Sequence, residues 1–252
     1  MYIEQSVIES NQKINSTTFL IKVKAPAIAS VSKPGQFCNI KVSENSFPLL
    51  RRPFSICDVT DESLYFLFDI HGEGTKILSL KKVGEELDLL GPLGNGFNYE
   101  EEFEYGVIVA GGLGIAPFPF LLRKLSNSKN VNVFIGAGSK EKIINYGVNN
   151  YSIATDNGSQ GFHGTVVELL QSEIAKYPNG KTKIFGCGPN AMLSKLKELC
   201  VHKKYQCEIS VECAMACGFG ICQGCPVETE NGQSYLLVCK DGPVFNVQDI
   251  NL

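Results

Sequence analysis

The chain has 252 residues, 44% of them hydrophobic and 19% charged, which is enough for two or three small domains with cores of their own. Its net charge of −3 offers no general basic surface, so we expect neither nucleic acid nor a membrane as a partner. Ten cysteines would suggest disulfides in a short secreted chain, but no basic-then-apolar leader is visible, and we expect a reducing, cytoplasmic setting.

Residues 1–98 show short strand-like runs separated by turn residues, a spacing typical of an all-β sandwich or barrel. The runs are Ile3–Ser10, Thr18–Lys24, Gln36–Val42, Phe54–Asp58, Leu64–Ile70 and Glu86–Leu90. One short helix, Thr75–Leu80, is predicted after Gly72-Glu73-Gly74-Thr75. The free N–H groups and positive dipole end at its start are suited to a phosphate.

The run Arg51-Arg52-Pro53-Phe54-Ser55-Ile56 carries the chemical information in this unit. An arginine offers a planar fork for a pyrophosphate, and the proline beside it fixes the backbone. Ser55 can hydrogen-bond the edge of a flavin ring, while Phe54 lies on the opposite face of the strand. An edge strand with a solvated arginine is the more common explanation of so short a motif. The glycine-rich turns at Gly72–Thr75 and Gly91–Phe97 favour the flavin.

From Tyr105 onward, strand-like runs alternate with helix-like runs, which predicts a parallel sheet with ligands at the carboxyl ends of its strands. The strands are predicted at Gly106–Ala110, Val131–Ile135, Tyr151–Thr155, Lys183–Phe185 and Glu208–Val211. The helices are predicted at Phe118–Leu125, Gly164–Lys176 and Asn190–Lys203. We assign residues 99–206 to this nucleotide-binding α/β domain.

Three loops at those strand ends are candidate dinucleotide contacts. Gly111-Gly112-Leu113-Gly114-Ile115-Ala116-Pro117 lets a pyrophosphate approach the backbone closely, and Cys187-Gly188-Pro189 follows the fourth strand. The segment 155–166 could cover a pyridine nucleotide or form a plain β–α turn. The loop Gly138–Lys142 lacks the arginine expected for a 2′-phosphate, which favours NAD over NADP.

The cysteines near the end of the chain give the most specific signal. Cys217, Cys222 and Cys225 are spaced C-x4-C-x2-C, and Cys239 follows as a distant fourth cysteine. This is the spacing of plant-type 2Fe–2S ligands. A structural zinc site usually presents two short two-cysteine arms instead, so we predict a small 2Fe–2S lobe over residues 207–252.

Together these motifs resemble the ferredoxin–NADP reductase superfamily, and over nearly the whole chain they are similar to the electron-transfer subunits of class 1B, NAD-linked dihydroorotate dehydrogenases. The runs at 50–56, 215–218 and 238–245 agree with that family. The resemblance implies a β plus α/β fold: a six-stranded antiparallel FAD-binding barrel, a parallel-sheet nucleotide-binding domain and a C-terminal cluster lobe. It also implies a separate FMN-containing catalytic subunit, two copies of each subunit, and a role in pyrimidine biosynthesis.

The resemblance also implies which residues bind the cofactors, and it gives no side chain an acid or base role. FAD contacts are expected at Arg52, Pro53, Phe54, Ser55, Asp69, Ile70, Gly74 and Thr75. Contacts with NAD, a co-substrate, are expected at Gly111, Gly112, Gly114, Pro117, Cys187, Gly188 and Pro189. The cluster ligands are expected to be Cys217, Cys222, Cys225 and Cys239.

The sequence departs from the family's pattern at Cys213, Asn157 and Pro226. Cys213 is an additional cysteine and could replace Cys217 as a ligand, although the match at Met215-Ala216-Cys217-Gly218 favours Cys217. Two other functions remain open. One is a similar flavin subunit of a hydrogenase, a sulfide dehydrogenase or a ferredoxin-dependent transhydrogenase. The other is a zinc-stabilised binding module without redox activity.

Overall fold

The computed structural model describes residues 1–45, 47–125 and 129–252. Its first part is an antiparallel sheet of seven strands in the order β4-β3-β7-β1-β2-β6-β5. The strands are β1 Tyr2–Lys13, β2 Thr18–Lys24, β3 Phe37–Lys41, β4 Arg52–Ser55, β5 Asp58–Thr60, β6 Ser63–Asp69 and β7 Glu86–Leu93. Two helices accompany them, α1 Pro26–Ala29 and α2 Glu73–Leu80.

The prediction of six strands differs from the structure because the run at 54–58 forms two strands. β4 pairs with β3, whereas β5 pairs with β6 at the opposite edge of the sheet. The chain changes partner between them: the Ile56 N–H donates to the Gln36 carbonyl, and the Cys57 N–H donates to the Tyr65 carbonyl. The sheet is therefore curled so that its two edges meet at one continuous segment.

The second part is a mostly parallel sheet in the order β11-β10-β9-β8-β12-β13-β16. The strands are β8 Tyr105–Gly111, β9 Asn130–Ala137, β10 Tyr151–Thr155, β11 Phe162–His163, β12 Thr182–Cys187, β13 Gln206–Ser210 and β16 Val244–Asn246. The helices are α3 Phe118–Leu125, α4 Val166–Glu173 and α5 Asn190–Lys203, with 3₁₀ turns at Gly112–Ile115, Lys140–Lys142 and Ile174–Lys176. All five predicted parallel strands and three predicted helices are present.

Apolar layers cover both faces of this sheet, which explains its nearly continuous hydrophobic strands. In β8, Val107 and Val109 face the layer that contains α4 and α5, whereas Ile108 and Ala110 face α3 and the first sheet. The helix α4 begins after Thr165, whose hydroxyl accepts from the Glu168 N–H while the Glu168 carboxylate accepts from the Thr165 N–H. None of the described helices combines the length and apolar character needed to cross a bilayer.

The last part contains a two-stranded hairpin, β14 Pro226–Glu228 and β15 Tyr235–Leu237, and then returns to the second sheet through β16. β16 runs antiparallel to β13. Cys225 and Cys239 pack within the same apolar layer as α4 and α5. The cysteine-rich segment is therefore joined to the α/β unit by a strand and by a shared core.

Candidate functional site

A cleft of about 440 Å³ lies where the three parts of the chain meet. The first sheet contributes five of the predicted flavin-binding residues to its wall: Pro53, Phe54, Ser55, Asp69 and Thr75. Leu113 and Ala116 come from the glycine-rich loop after β8, and Cys213 and Met215 come from the cysteine-rich segment. A group bound in this cleft would therefore contact the flavin motif, the glycine-rich loop and the cysteine-rich segment at once.

Arg52 and Gly74, two of the predicted flavin contacts, lie side by side. A Cβ built on Gly74 would be 3.0 Å from Arg52 Nε, so only glycine leaves the guanidinium undisturbed at the start of α2. The neighbouring Arg51 is committed elsewhere: its Nη2 pairs with Asp88 Oδ2 at 2.8 Å. Among the described residues no carboxylate pairs with Arg52, which leaves its guanidinium suited to an anion.

Phe54 and Ser55 of the flavin motif both line the cleft. The Phe54 ring also packs edge-on to Phe68 at a centroid distance of 5.7 Å, whereas Ser55 is paired with Phe37 of β3. Asp69 accepts a hydrogen bond from the Thr18 hydroxyl. Ile70, by contrast, is 37% exposed and lies outside the cleft wall.

The Thr75 hydroxyl accepts hydrogen bonds from the N–H groups of His71, at 2.8 Å, and Gly72, at 3.2 Å. Thr75 therefore shapes the turn that leads into α2. The expected direct contact of its side chain with a cofactor phosphate stays a prediction.

The two predicted dinucleotide loops press against each other. A Cβ on Gly114 would lie 2.2 Å from the Cys187 carbonyl oxygen, and a Cβ on Gly111 would lie 2.9 Å from Pro189 Cδ. Gly188 belongs to the same contact, since a Cβ built on it would lie 3.0 Å from the Gly111 nitrogen. These glycines are needed because the two strand ends approach at backbone distance. Only their neighbours Leu113 and Ala116 reach the cleft.

Two further predicted residues of these loops are buried. Pro117 lies just before α3, which begins at Phe118 as predicted. Burial raises the pKa of the Cys187 thiol well above its usual range, although a hydrogen bond with the Ser210 side chain acts in the opposite direction. Cys187 is consequently a neutral thiol at physiological pH.

The segment after β10 forms a closed loop. The Thr155 hydroxyl bonds both the N–H and the carbonyl of Gln160, at 3.0 and 2.8 Å. Phe162–His163 then returns to pair in parallel with β10. This is more than a plain β–α turn, but a contact with a pyridine nucleotide stays a prediction.

The four predicted cluster cysteines form two pairs. The Sγ atoms of Cys225 and Cys239 are 3.2 Å apart, and the Cys222 N–H donates to Cys217 Sγ at 3.5 Å. Within the described ranges, three or more such side chains are nowhere gathered around the position of one ion. Two cysteine pairs suit a 2Fe–2S cluster, in which each of two irons takes two cysteines, better than a single zinc surrounded by four ligands.

The backbone around Cys217 favours a thiolate. Burial raises the pKa of this thiol, but the N–H groups of Cys222, Phe219 and Ile221 are directed at its sulfur and outweigh that effect, so that the pKa falls to about 6. Metal ligation requires the deprotonated form. N–H groups aimed at cysteine sulfur are also among the features that set the potential of an iron–sulfur cluster.

Comparison with known proteins identifies the family. The family model described as the iron-sulfur cluster binding domain of dihydroorotate dehydrogenase B matches residues 212–251. A curated relative from Desulforamulus reducens, named dihydroorotate dehydrogenase B (NAD(+)), electron transfer subunit, is 38% identical over 238 residues, covering 90% of each chain. A relative with the same name from Caldanaerobacter subterraneus is 37% identical, covering 96% of this chain and 95% of its own. The chain belongs to this family.

Solved structures agree on the fold. The NADH-dependent reduced ferredoxin-NADP oxidoreductase of a study on flavin-based electron bifurcation superposes with a TM-score of 0.85 at 24% identity, covering 98% of this chain and 90% of its own. A ferredoxin NADP+ reductase from Neisseria gonorrhoeae with bound FAD and NADP gives a TM-score of 0.67 at 17% identity, covering 80% and 92%. These similarities confirm a β plus α/β fold.

The structure of this family member adds cleft residues that the sequence did not single out for the site, notably Ser210, Glu212 and Met215. Glu212 stands at the cleft mouth with much of its side chain exposed, and partial burial of its carboxyl raises the pKa. The run Ser210–Met215 leads directly from the end of β13 into the cysteines. This position between a strand end and the cysteine motif could have indicated these residues from the sequence.

Cys213 occupies a special position in that run. Its side chain lines the cleft and also hydrogen-bonds with Cys225, and burial raises the pKa of its thiol to about 11. Cys213 therefore lies between the cleft and the Cys225–Cys239 pair. The assignment of Cys217 rather than Cys213 as a cluster ligand stays a prediction.

Proposed function

We propose that this chain is the electron transfer subunit of an NAD-linked dihydroorotate dehydrogenase, carrying electrons between a catalytic subunit and NAD+ through a 2Fe–2S cluster and FAD. One observation carries the proposal: a single cleft is lined by the flavin motif, the glycine-rich nucleotide loop and the segment that leads into the cluster cysteines. A group bound there would contact all three units, as an intermediate carrier requires.

The residues present suit both bound groups. FAD would be held by Arg52 at its pyrophosphate and by Ser55 at its ring, and the cluster by the pairs Cys217–Cys222 and Cys225–Cys239. FAD exchanges either single electrons or a hydride, whereas the cluster exchanges only single electrons and the nicotinamide only a hydride. No side chain needs to act as an acid or base in this transfer. The protein binds, orients and excludes water.

Two residues have positioning roles in this proposal, Ser55 in the cleft wall and Cys187, which is buried at the end of β12. Ser55 would hydrogen-bond the edge of the flavin ring, and the neutral thiol of Cys187 would support the loop on the nicotinamide side. The loops that contain Gly111–Pro117 and Cys187–Pro189 form the NAD side of the cleft. The Gly138–Lys142 loop supports NAD over NADP, because it offers no arginine fork for a 2′-phosphate.

We place three units along the chain: a six-stranded closed FAD barrel at 1–98, with β4 and β5 counted as one strand, the NAD-binding domain at 99–211 and the 2Fe–2S lobe at 212–252. The second boundary is moved from 206/207 because β13 pairs within the parallel sheet. The family match beginning at residue 212 supports the same position.

The partner in this proposal is an FMN-containing catalytic subunit that oxidises dihydroorotate, with two copies of each subunit in the cytoplasm. An exposed apolar side chain supports a docking surface near the cluster cysteines: Ile221 is 75% exposed in the cysteine loop. A flavin subunit of a hydrogenase or transhydrogenase is the weaker alternative, because the relatives at 34–38% identity are named for dihydroorotate dehydrogenase.

The decisive experiment purifies the chain anaerobically, alone and with a dihydroorotate dehydrogenase B catalytic subunit. We expect FAD and 2Fe–2S absorption bands from the chain alone. With the catalytic subunit we expect NAD+-dependent formation of orotate, which the catalytic subunit alone does not support. A reconstituted chain without flavin and iron–sulfur bands would refute the proposal.

A further inference from the structure

We propose that Asn39 of β3 is a positioning residue that fixes the first cluster ligand, Cys217, on the flavin barrel and thereby sets the reduction potential of the cluster. This inference rests on the proposed function. The contact joins positions 178 residues apart in the sequence: Asn39 Nδ2 donates to the Cys217 carbonyl oxygen at 3.0 Å.

The surroundings of Asn39 are unusual for a strand residue. Its side chain is completely buried, while Cys38 and Ile40 on either side face the apolar interior of the barrel. With Nδ2 committed to Cys217, Oδ1 is buried without a hydrogen-bond partner among the described residues. A buried acceptor without a partner lowers stability, so an apolar side chain would suit folding better. The amide donor to Cys217 is the contribution that an apolar residue cannot make.

The cysteine loop is shaped to receive this side chain. Gly218 has a φ of +81°, and a Cβ there would lie 2.0 Å from Asn39 Nδ2. A side chain at 218 would therefore collide with Asn39 as well as being strained. Gly218 in the loop and Asn39 in the strand thus both allow the cysteine loop to approach β3 closely.

The same strand also faces the cleft. Phe37 lies two residues before Asn39 on the same face of β3 and lines the cleft opposite Ser55. Asn39 itself is paired with Pro53 of the flavin motif. The strands that carry the flavin motif therefore also hold the backbone of the first cluster ligand, which fixes the ligand relative to the flavin site.

The expected effect on the cluster follows from the loop downstream of Cys217. The N–H groups of Phe219, Ile221 and Cys222 are directed at Cys217 Sγ. Such N–H groups stabilise the more negative, reduced cluster and so raise its potential. Because Asn39 holds the start of this loop, its loss would let these N–H groups move away from the sulfur, and the potential would fall.

The test compares Asn39→Ala and Asn39→Asp with Asn95→Ala in the full chain containing FAD and cluster. Asn95 is a matched control, since its Nδ2 also donates from the barrel to the cysteine-rich lobe, at 2.9 Å to the Asp241 carbonyl and at 3.2 Å to the Lys240 carbonyl after Cys239, but from an exposed position. The readouts are iron and FAD content and the cluster midpoint potential from a redox titration followed by electron paramagnetic resonance. None of them requires the catalytic partner.

We expect Asn39→Ala to retain FAD and to shift the cluster's reduction equilibrium at least tenfold toward the oxidised form, which is about 59 mV for one electron. Asn39→Asp keeps the size, and where its carboxyl is ionised it has no donor for the Cys217 carbonyl and adds a negative charge, so its potential falls further as pH rises through its pKa. Asn95→Ala stays at the wild-type value. Selective loss of iron from the Asn39 variants, with FAD retained, would also support the proposal.

Three results would overturn it: Asn39 variants with full iron content and an unchanged potential, the same shift in Asn95→Ala, or loss of FAD together with iron in both Asn39 variants. The last result would make the role of Asn39 purely structural. These failures differ from failure of the proposed function itself, which would show as a wild-type chain that takes up no cluster.

Discussion

Replacing Arg52 is the sharpest test of the flavin site, because a second arginine stands beside it. Arg52 lies against the Gly74 backbone with no carboxylate partner among the described residues, whereas Arg51 is bound to Asp88. Hydrogen bonds to a charged group contribute about 1.5–3 kcal/mol. Arg52→Ala should therefore raise the Kd for FAD about 10- to 150-fold. Arg52→Lys should fall between, since lysine keeps the charge but loses the planar fork.

The assay is titration of the flavin-free chain with FAD, followed by flavin fluorescence or calorimetry, beside a thermal melt of each variant. Arg51→Ala is the control: it removes the pair with Asp88, so it should lower the melting temperature and leave the Kd for FAD unchanged. An Arg52→Ala chain with wild-type affinity, or an equal loss of affinity in Arg51→Ala, would show that the motif was assigned wrongly.

Three other predictions test the remaining parts of the site. Cys217→Ser should lose the cluster while Cys213→Ser keeps it, as judged by iron content and visible absorption; a bleached Cys213→Ser would show that the first ligand was misassigned. Gly114→Ala should lower NADH-dependent reduction of an artificial acceptor at least tenfold with FAD still bound, because its Cβ would displace the backbone of the Cys187 loop. Hydrogen bonds from Lys22 and Ser63 lower the pKa of Glu9, so its contribution to stability is complete at neutral pH and is lost as pH falls through the folded-state pKa. Glu9→Gln should accordingly lower the melting temperature slightly at pH 7 and have a smaller effect at acidic pH, and an equal effect at both would contradict the ion pair.

The sequence predicted the elements that follow from local patterns. The parallel strands were visible because burial on both faces makes them short apolar runs, and α5 was found with its observed bounds, Asn190–Lys203. The helix predicted at 164–176 begins later because Thr165 caps it. The four-residue helix α1 was missed, since one turn leaves no periodicity to detect.

What the sequence could not predict depends on contacts between distant segments. The division of the run at 54–58 into β4 and β5 occurs because Ile56 and Cys57 bond to strands at opposite edges of the sheet, which no local signal records. The places of Glu212 and Met215 in the cleft wall follow from the packing of three units around one cavity. The cysteine motif was recognised from spacing alone, whereas the division of its members into two pairs required the fold.

The two cysteine pairs differ in burial, so the lobe has one buried side and one exposed side. Cys225 and Cys239 are 3% and 2% exposed and adjoin Cys213, which lines the cleft, whereas Cys222 is exposed in the loop that also presents Ile221. A lobe that worked as a free ferredoxin would not need one pair buried beside Cys213 of the cleft, nor a barrel residue, Asn39, bonded to Cys217 of the other pair. The buried pair therefore adjoins the cleft, and we expect the partner on the side where Cys222 and Ile221 are exposed. Substitutions at Ile221 should weaken partner binding and leave the flavin spectrum unchanged, whereas substitutions at Asn39 should act without the partner.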